Sequence, residues 1–209
     1  MAKLSTTAIL RSAWQTVRPN TPVLAVLVAA SYLIDLAGKG AFNRVYPIEV
    51  SGWLYPLLTA IQAILDSILF FMIIKVALAL AAGRKVEPKD LPEMLRNLKA
   101  KQVVQFIVTS IIYGVAVAFG LIIFIVPGLY LMTKYGFYGL AIADKNVGIG
   151  ESFQVSQKLT AGRQMELLPL YLLSVLTGLA LGAVSPLLSG VSLVFFYLAF
   201  AKAYRTLGG

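Results

Sequence analysis

Residues 102–125 read QVVQFIVTSIIYGVAVAFGLIIFI, twenty-four positions without one charged side chain. About 20 mostly apolar residues are enough to cross the hydrocarbon core of a bilayer as a helix. The run is continuous rather than alternating at period two, which rejects a membrane β-barrel. Val126-Pro127-Gly128 follows it directly. Pro lacks the N–H that would continue a helix, and Gly tolerates the turn, so this tripeptide predicts a tight turn into a second apolar run.

Working outward, the same reading gives six spans: Thr21–Gly38, Trp53–Ala82, Gln102–Ile125, Leu129–Ala143, Leu167–Val184 and Leu187–Ala201. Ser185-Pro186 parts the last two as Pro127-Gly128 parts the third and fourth, and both breaks read as helical hairpins. The expected fold is an all-α transmembrane bundle in one membrane domain, residues 1–209, with six spans arranged as three hairpins and short cytoplasmic helices between them. Composition agrees. Hydrophobic residues make up 59% and charged residues 13% of the chain, about half the charge of an ordinary soluble domain. The first span follows about 20 residues and ends in a poor cleavage context, so retention rather than removal as a signal peptide is expected.

Basic residues orient the bundle. Fourteen of them fall in the N-terminal arm, in the second and fourth connectors and at the C-terminal end, while Lys39 and Arg44 alone lie on the other side. Both termini are therefore expected in the cytoplasm and the protein in a bacterial inner or plasma membrane. The arm, residues 1–20, carries an apolar stripe of Leu10, Ala13, Trp14 and Val17 at helical spacing. Arg11, Trp14 and Arg18 are its candidate interfacial anchors, placed to meet head groups. Leu91, Met94, Leu95 and Leu98 repeat the spacing behind Asp90 and Glu93, a capping-box-like start. A third helix opens at Gly150-Glu151-Ser152 and closes near Gly162.

Few residues could carry chemistry. The chain has no Cys and no His, which removes thiol nucleophiles, imidazole catalysis and the common zinc sites. No phosphate-binding glycine motif and no paired carboxylates are visible. The expectation is a protein without catalytic, cofactor-binding or metal residues. Its partners would be anionic lipid head groups, with another membrane protein or a second copy as further possibilities and no nucleic acid. Asp66 and Lys134 stand inside spans, where a charge costs about 2.5–3.5 kcal/mol, and form a candidate intramembrane pair. Lys75 lies near a span end and reads as snorkelling. Gly178 and Gly182 form a GxxxG-type pair, and Tyr130, Tyr135, Phe137 and Tyr138 read in part as an interfacial aromatic belt.

One stretch carries a resemblance. Pro127, Gly128 and Tyr130 are followed by Lys134 and Asp144, then by Glu151, Ser156, Leu159, Thr160 and Gly162. The order resembles a prokaryotic family of six-span membrane proteins that also occurs as the membrane domain fused to some glycerophosphoryl diester phosphodiesterases. Ser152 and Gln157 depart from its usual Ala and aromatic residues. The resemblance implies a helical membrane module without catalysis. The leading expectation is thus a lipid- or partner-engaging module, and the alternative is a small transporter or exporter of a lipid or solute. Reporter fusions map the sides directly: fusions after residues 90, 150 and 209 should read as cytoplasmic, and those after 46, 127 and 186 as external. A cytoplasmic reading at residue 46 overturns the orientation.

Overall fold

The computed structural model describes residues 5–45 and 54–209, with side chains described for 5–38 and 55–209. The start of the second expected span at Trp53, and the side chains of Lys39 and Arg44, lie outside them. Every element among the described residues is helical. In order these are α1 (Thr6–Val17), α2 (Thr21–Val45), α3 (Leu54–Ala81), α4 (Leu91–Arg96), α5 (Ala100–Ile123), α6 (Ile125–Tyr135), α7 (Tyr138–Lys145), α8 (Ile149–Thr160), α9 (Gln164–Val184) and α10 (Pro186–Thr206). Short 3-10 turns precede α2 and α4. Five helical stretches are long and apolar enough to cross a membrane: α1 with α2 as far as Gly38, α3, α5, α9 and α10.

The fourth expected span differs. It is two short helices, α6 and α7, parted at Gly136-Phe137. At 1.5 Å per residue neither piece exceeds about 17 Å, too short to cross alone.

The two turns at the Pro pairs are tighter than the prolines alone indicate. Phe124 and Ser185 are each a single extended residue between two helices, at φ −153° and −162°. The prolines fall just after them, in the first turns of α6 and α10, where no N–H is needed. The Ser185 hydroxyl accepts from the Leu187 N–H at 3.3 Å. Gly83 follows the end of α3, and its φ of +78° suits a residue without Cβ. The Gly83 and Arg84 amides return to the Leu80 and Ala79 carbonyls, closing the helix. The cap before α4 sits one turn earlier than the spacing predicts: Asp90 accepts from the Glu87 N–H at 2.8 Å.

Burial is uneven along the helices. The core gathers Phe71–Leu80 of α3, Leu167–Tyr171 of α9, α7, and Val194–Tyr204 of α10. α10 packs on α1, α2, α3 and α9, and α8 packs on α6 and α7. At this end the chain is closed. At the other end apolar side chains point outward; Ile122 of α5 is 82% exposed and Leu179 of α9 69%. An apolar exterior of that kind faces lipid or a partner. α1 is not the free arm the stripe describes, because Ile9 and Ala13 are buried in the core while Trp14 stays half exposed.

Glycine marks the closest helix contact, though not at the GxxxG pair. A methyl at Gly178 meets nothing, and one at Gly182 touches only Ser189 at 3.7 Å. At Gly128 a methyl would sit 2.6 Å from the Leu121 backbone nitrogen, where α6 lies on α5. Gly128→Ala should therefore destabilise by about 1–3 kcal/mol, read as thermal unfolding in detergent, while Gly114→Ala, which enters open space, should not.

Candidate functional site: an aromatic cleft beside a broken helix

The interruption between α6 and α7 frees backbone groups inside an apolar bundle, where an unmet donor or acceptor costs several kcal/mol. α8 meets them. Ser152, Ser156 and Thr160, spaced one turn apart, form its fully buried face. The Phe137 N–H donates to the Ser156 hydroxyl at 3.1 Å, and that hydroxyl donates to the Lys134 carbonyl at 3.0 Å. The Thr160 hydroxyl shares its proton between the Lys134 and Ser156 carbonyls, both at 3.0 Å. From α5, the Tyr113 hydroxyl donates to the Met132 carbonyl at 3.1 Å.

Asn146 and several residues of the quoted pattern bound α8 and the helices beside it. Asn146 adopts the left-handed region, φ +54°, and ends α7. Glu151 accepts from the Gly148 N–H at 3.2 Å and caps the start of α8. Gly162, φ +71°, turns the chain out of its end. Asp144 on α7 is held by Arg205 on α10, at 2.6 Å to one carboxylate oxygen and 3.3 Å to the other, with the Tyr204 hydroxyl donating at 3.4 Å. Pro127 opens α6, Gly128 gives the contact with α5, and Tyr130 is exposed beside Lys134.

Asp66 and Lys134 are not brought together. Asp66 accepts from Gln62 at 3.3 Å, one turn back on α3, and Gln62 also donates to the Ile34 carbonyl of α2 at 3.2 Å. The Lys134 ammonium lies over the rings of Tyr130 and Tyr135, at 5.4 and 5.2 Å. No ion pair joins the two. Phe137 and Tyr138 are also not a belt: Phe137 is fully buried between Tyr171 and Tyr204, and Tyr138 lies between Tyr113 and Phe106.

Beside the break lies a half-open cleft of about 370 Å³, bounded by α3, α5, α6, α7, α9 and α10. Tyr113, Tyr138, Tyr171, Tyr197, Phe106 and Phe200 give it an aromatic wall, and no charged side chain lines it. Gly136 makes room there, since a methyl would overlap the Tyr171 hydroxyl.

Two further hollows flank the junction of α1 and α2. A basic one of about 550 Å³ is lined by Arg84, Lys85 and Lys202, with Gln15, Thr16 and Asn20 opposite. Its one acid, Glu87, is bonded to Lys89 at 2.8 Å, which lifts the Lys89 ammonium above its usual value. The other is an apolar groove of about 410 Å³ between α2 and α10, lined by Leu24, Val28, Val191 and Phe195 under Trp14. Arg11 and Arg18 are exposed nearby in sequence. Comparison with family models, with curated proteins and with solved structures finds no match for this chain.

Ser156 holds both sides of the break. Ser156→Ala should cost about 2–4 kcal/mol, because it orphans one donor and weakens one acceptor at about 1–3 kcal/mol each. Thr160→Val should cost less, since Ser156 still serves the Lys134 carbonyl. Thermal unfolding of the two variants in the same detergent checks the order.

Proposed function

We propose that this chain is a non-catalytic membrane module of a bacterial inner membrane that holds anionic lipid at its cytoplasmic face. In this reading α6 and α7 together make a sixth, interrupted crossing, both termini are cytoplasmic, and the helices pair as three hairpins. The observation that carries it is the pairing of hollows at the α1–α2 junction. Arg84, Lys85 and Lys202 converge where the only lining acid is already neutralised, and an apolar groove runs along the adjoining side of the same helix. A phosphate head group fits the first, and an acyl chain fits the second. Each basic side chain near an anionic surface is worth about 1 kcal/mol. Arg11 and Arg18 add to the same field, with Trp14 at head-group depth.

The resemblance to the six-span family belongs to the same proposal. Its support is that the residues carrying it, Ser156, Thr160, Glu151 and Gly162, act together on one local structure, the break and the helix that mends it.

A transporter or exporter of a lipid or solute is the second reading. One observation favours it: a helix interrupted beside a cleft inside the bundle, the arrangement on which transporter sites are built. Flux or scrambling in proteoliposomes separates the two, and robust transport would reverse their order.

The leading reading is tested by phosphatidylglycerol binding to the purified protein. Replacing Arg84, Lys85 and Lys202 together by Gln should weaken it on the order of a hundredfold at low salt, and should remove most of the phosphatidylglycerol that co-purifies. Unchanged lipid retention, measured by mass spectrometry, would exclude this pocket as the head-group site.

A further inference from the structure

Tyr171 stands in the wall of the cleft with its hydroxyl buried and without a hydrogen-bond partner. Buried hydroxyls are almost always satisfied, so one that is not asks for an explanation. Four neighbouring hydroxyls are occupied. Tyr113 donates to the Met132 carbonyl and Tyr138 to Ser110 at 2.9 Å. Ser174 donates to the Tyr171 carbonyl at 2.7 Å, and Ser192 to Thr177 at 3.3 Å. Tyr197 and Ser189 also line the cleft, with hydroxyls that bond to no protein group, so it presents three free hydroxyls in an aromatic, uncharged surround, and that of Tyr171 is the fully buried one. Its volume is at the small end of ligand sites, enough for a compact head or part of a chain. It opens sideways: Val175 of α9 lines it and is 46% exposed, so its mouth is on the apolar outer face of α9.

We infer that this cleft binds an uncharged amphiphile that enters from the bilayer, with a carbonyl or hydroxyl oxygen accepting the Tyr171 proton. A phosphate or free carboxylate is disfavoured there because no cation lines the cleft and a bare anion would be desolvated without compensation. A flat ring or an unsaturated chain is favoured by the aromatic wall. The site is distinct from the basic pocket at the α1–α2 junction, and neither depends on the other.

Tyr171→Phe separates a ligand role from a structural one. The hydroxyl satisfies no protein group, so its removal should leave the melting temperature of the lipid-depleted protein unchanged or raised. The same change should weaken binding of the ligand by about fivefold, the worth of one hydrogen bond. Two neutral probes distinguish the sources of a carbonyl, dioctanoylglycerol for glyceride esters and decylubiquinone for quinones, with dodecyl phosphate as the charged comparator. Binding is read in nanodiscs by competition with a diazirine-bearing diacylglycerol, its adducts mapped by peptide mass spectrometry. At least one neutral probe should compete, dodecyl phosphate should not, and adducts should fall on the α6–α7 break and on α9. Gly178→Leu, which extends a side chain into the cleft from a position with open space, should abolish the adducts while the basic-pocket variant keeps them. A Tyr171→Phe protein that loses thermal stability and binds the probes as well as the parent would overturn the inference. So would adducts confined to other helices, or stronger competition by dodecyl phosphate than by either neutral probe.

Discussion

A carbonyl and an amide set loose within an apolar bundle must be answered by protein, and the arrangement of this molecule follows from how that is done. The Lys134 carbonyl and the Phe137 amide are met by Ser156 and Thr160, side chains that arrive on a separate helix. Two of the three buried hydroxyls of α8 serve these groups, and the third, Ser152, returns to the Ile149 carbonyl of its own helix. The position of α8 then fixes α7, whose end is tied to α10 through Asp144 and Arg205. The same break lets α9 come close, because Gly136 offers no side chain against Tyr171. The cleft is the space left between a helix that stops and a helix that does not.

Much of the helical framework is legible from hydropathy. The limits of α3, α5 and α9 lie within about three residues of the apolar runs, as helix ends usually do. The turns sit a residue or more earlier than the Pro pairs indicate, because Pro belongs to the first turn of the next helix rather than to the turn itself. The interruption of the fourth run was not legible. It contains no Pro, and hydropathy averages over a break that Gly136 and tertiary partners create together. Ser156 and Thr160 were visible as part of a pattern, yet their task depends on a contact across more than twenty residues. The cost of a lone charge inside a span pairs Asp66 with Lys134; each has nearer partners, Gln62 for one and two tyrosine rings for the other. Neighbours on the same helix meet each charge first. Asp144 stands in the quoted pattern and Arg205 among the C-terminal basic residues, and nothing in the sequence links them.

The two ends of the bundle obey different rules. At one end α1, α7, α8 and α10 bury a continuous core, and basic side chains gather around one hollow. At the other, single-residue turns carry α5 into α6 and α9 into α10, with apolar side chains directed outward. Water would penalise such an exterior, whereas hydrocarbon does not. Packing there relies on close backbone approach, as at Gly120 and Gly128, rather than on burial from water.

The place of α10 has a consequence for biogenesis. It touches α1, α2, α3 and α9, and its segment Val194–Tyr204 fills the centre of the closed end. None of those partners can complete the core before α10 has left the ribosome. The earlier helices can meet in part before then, α2 on α3, α5 on α6 and α8 on α6 and α7, but the closed end waits for the last helix. Completion of the core is thus a late step that joins the first helix to the last.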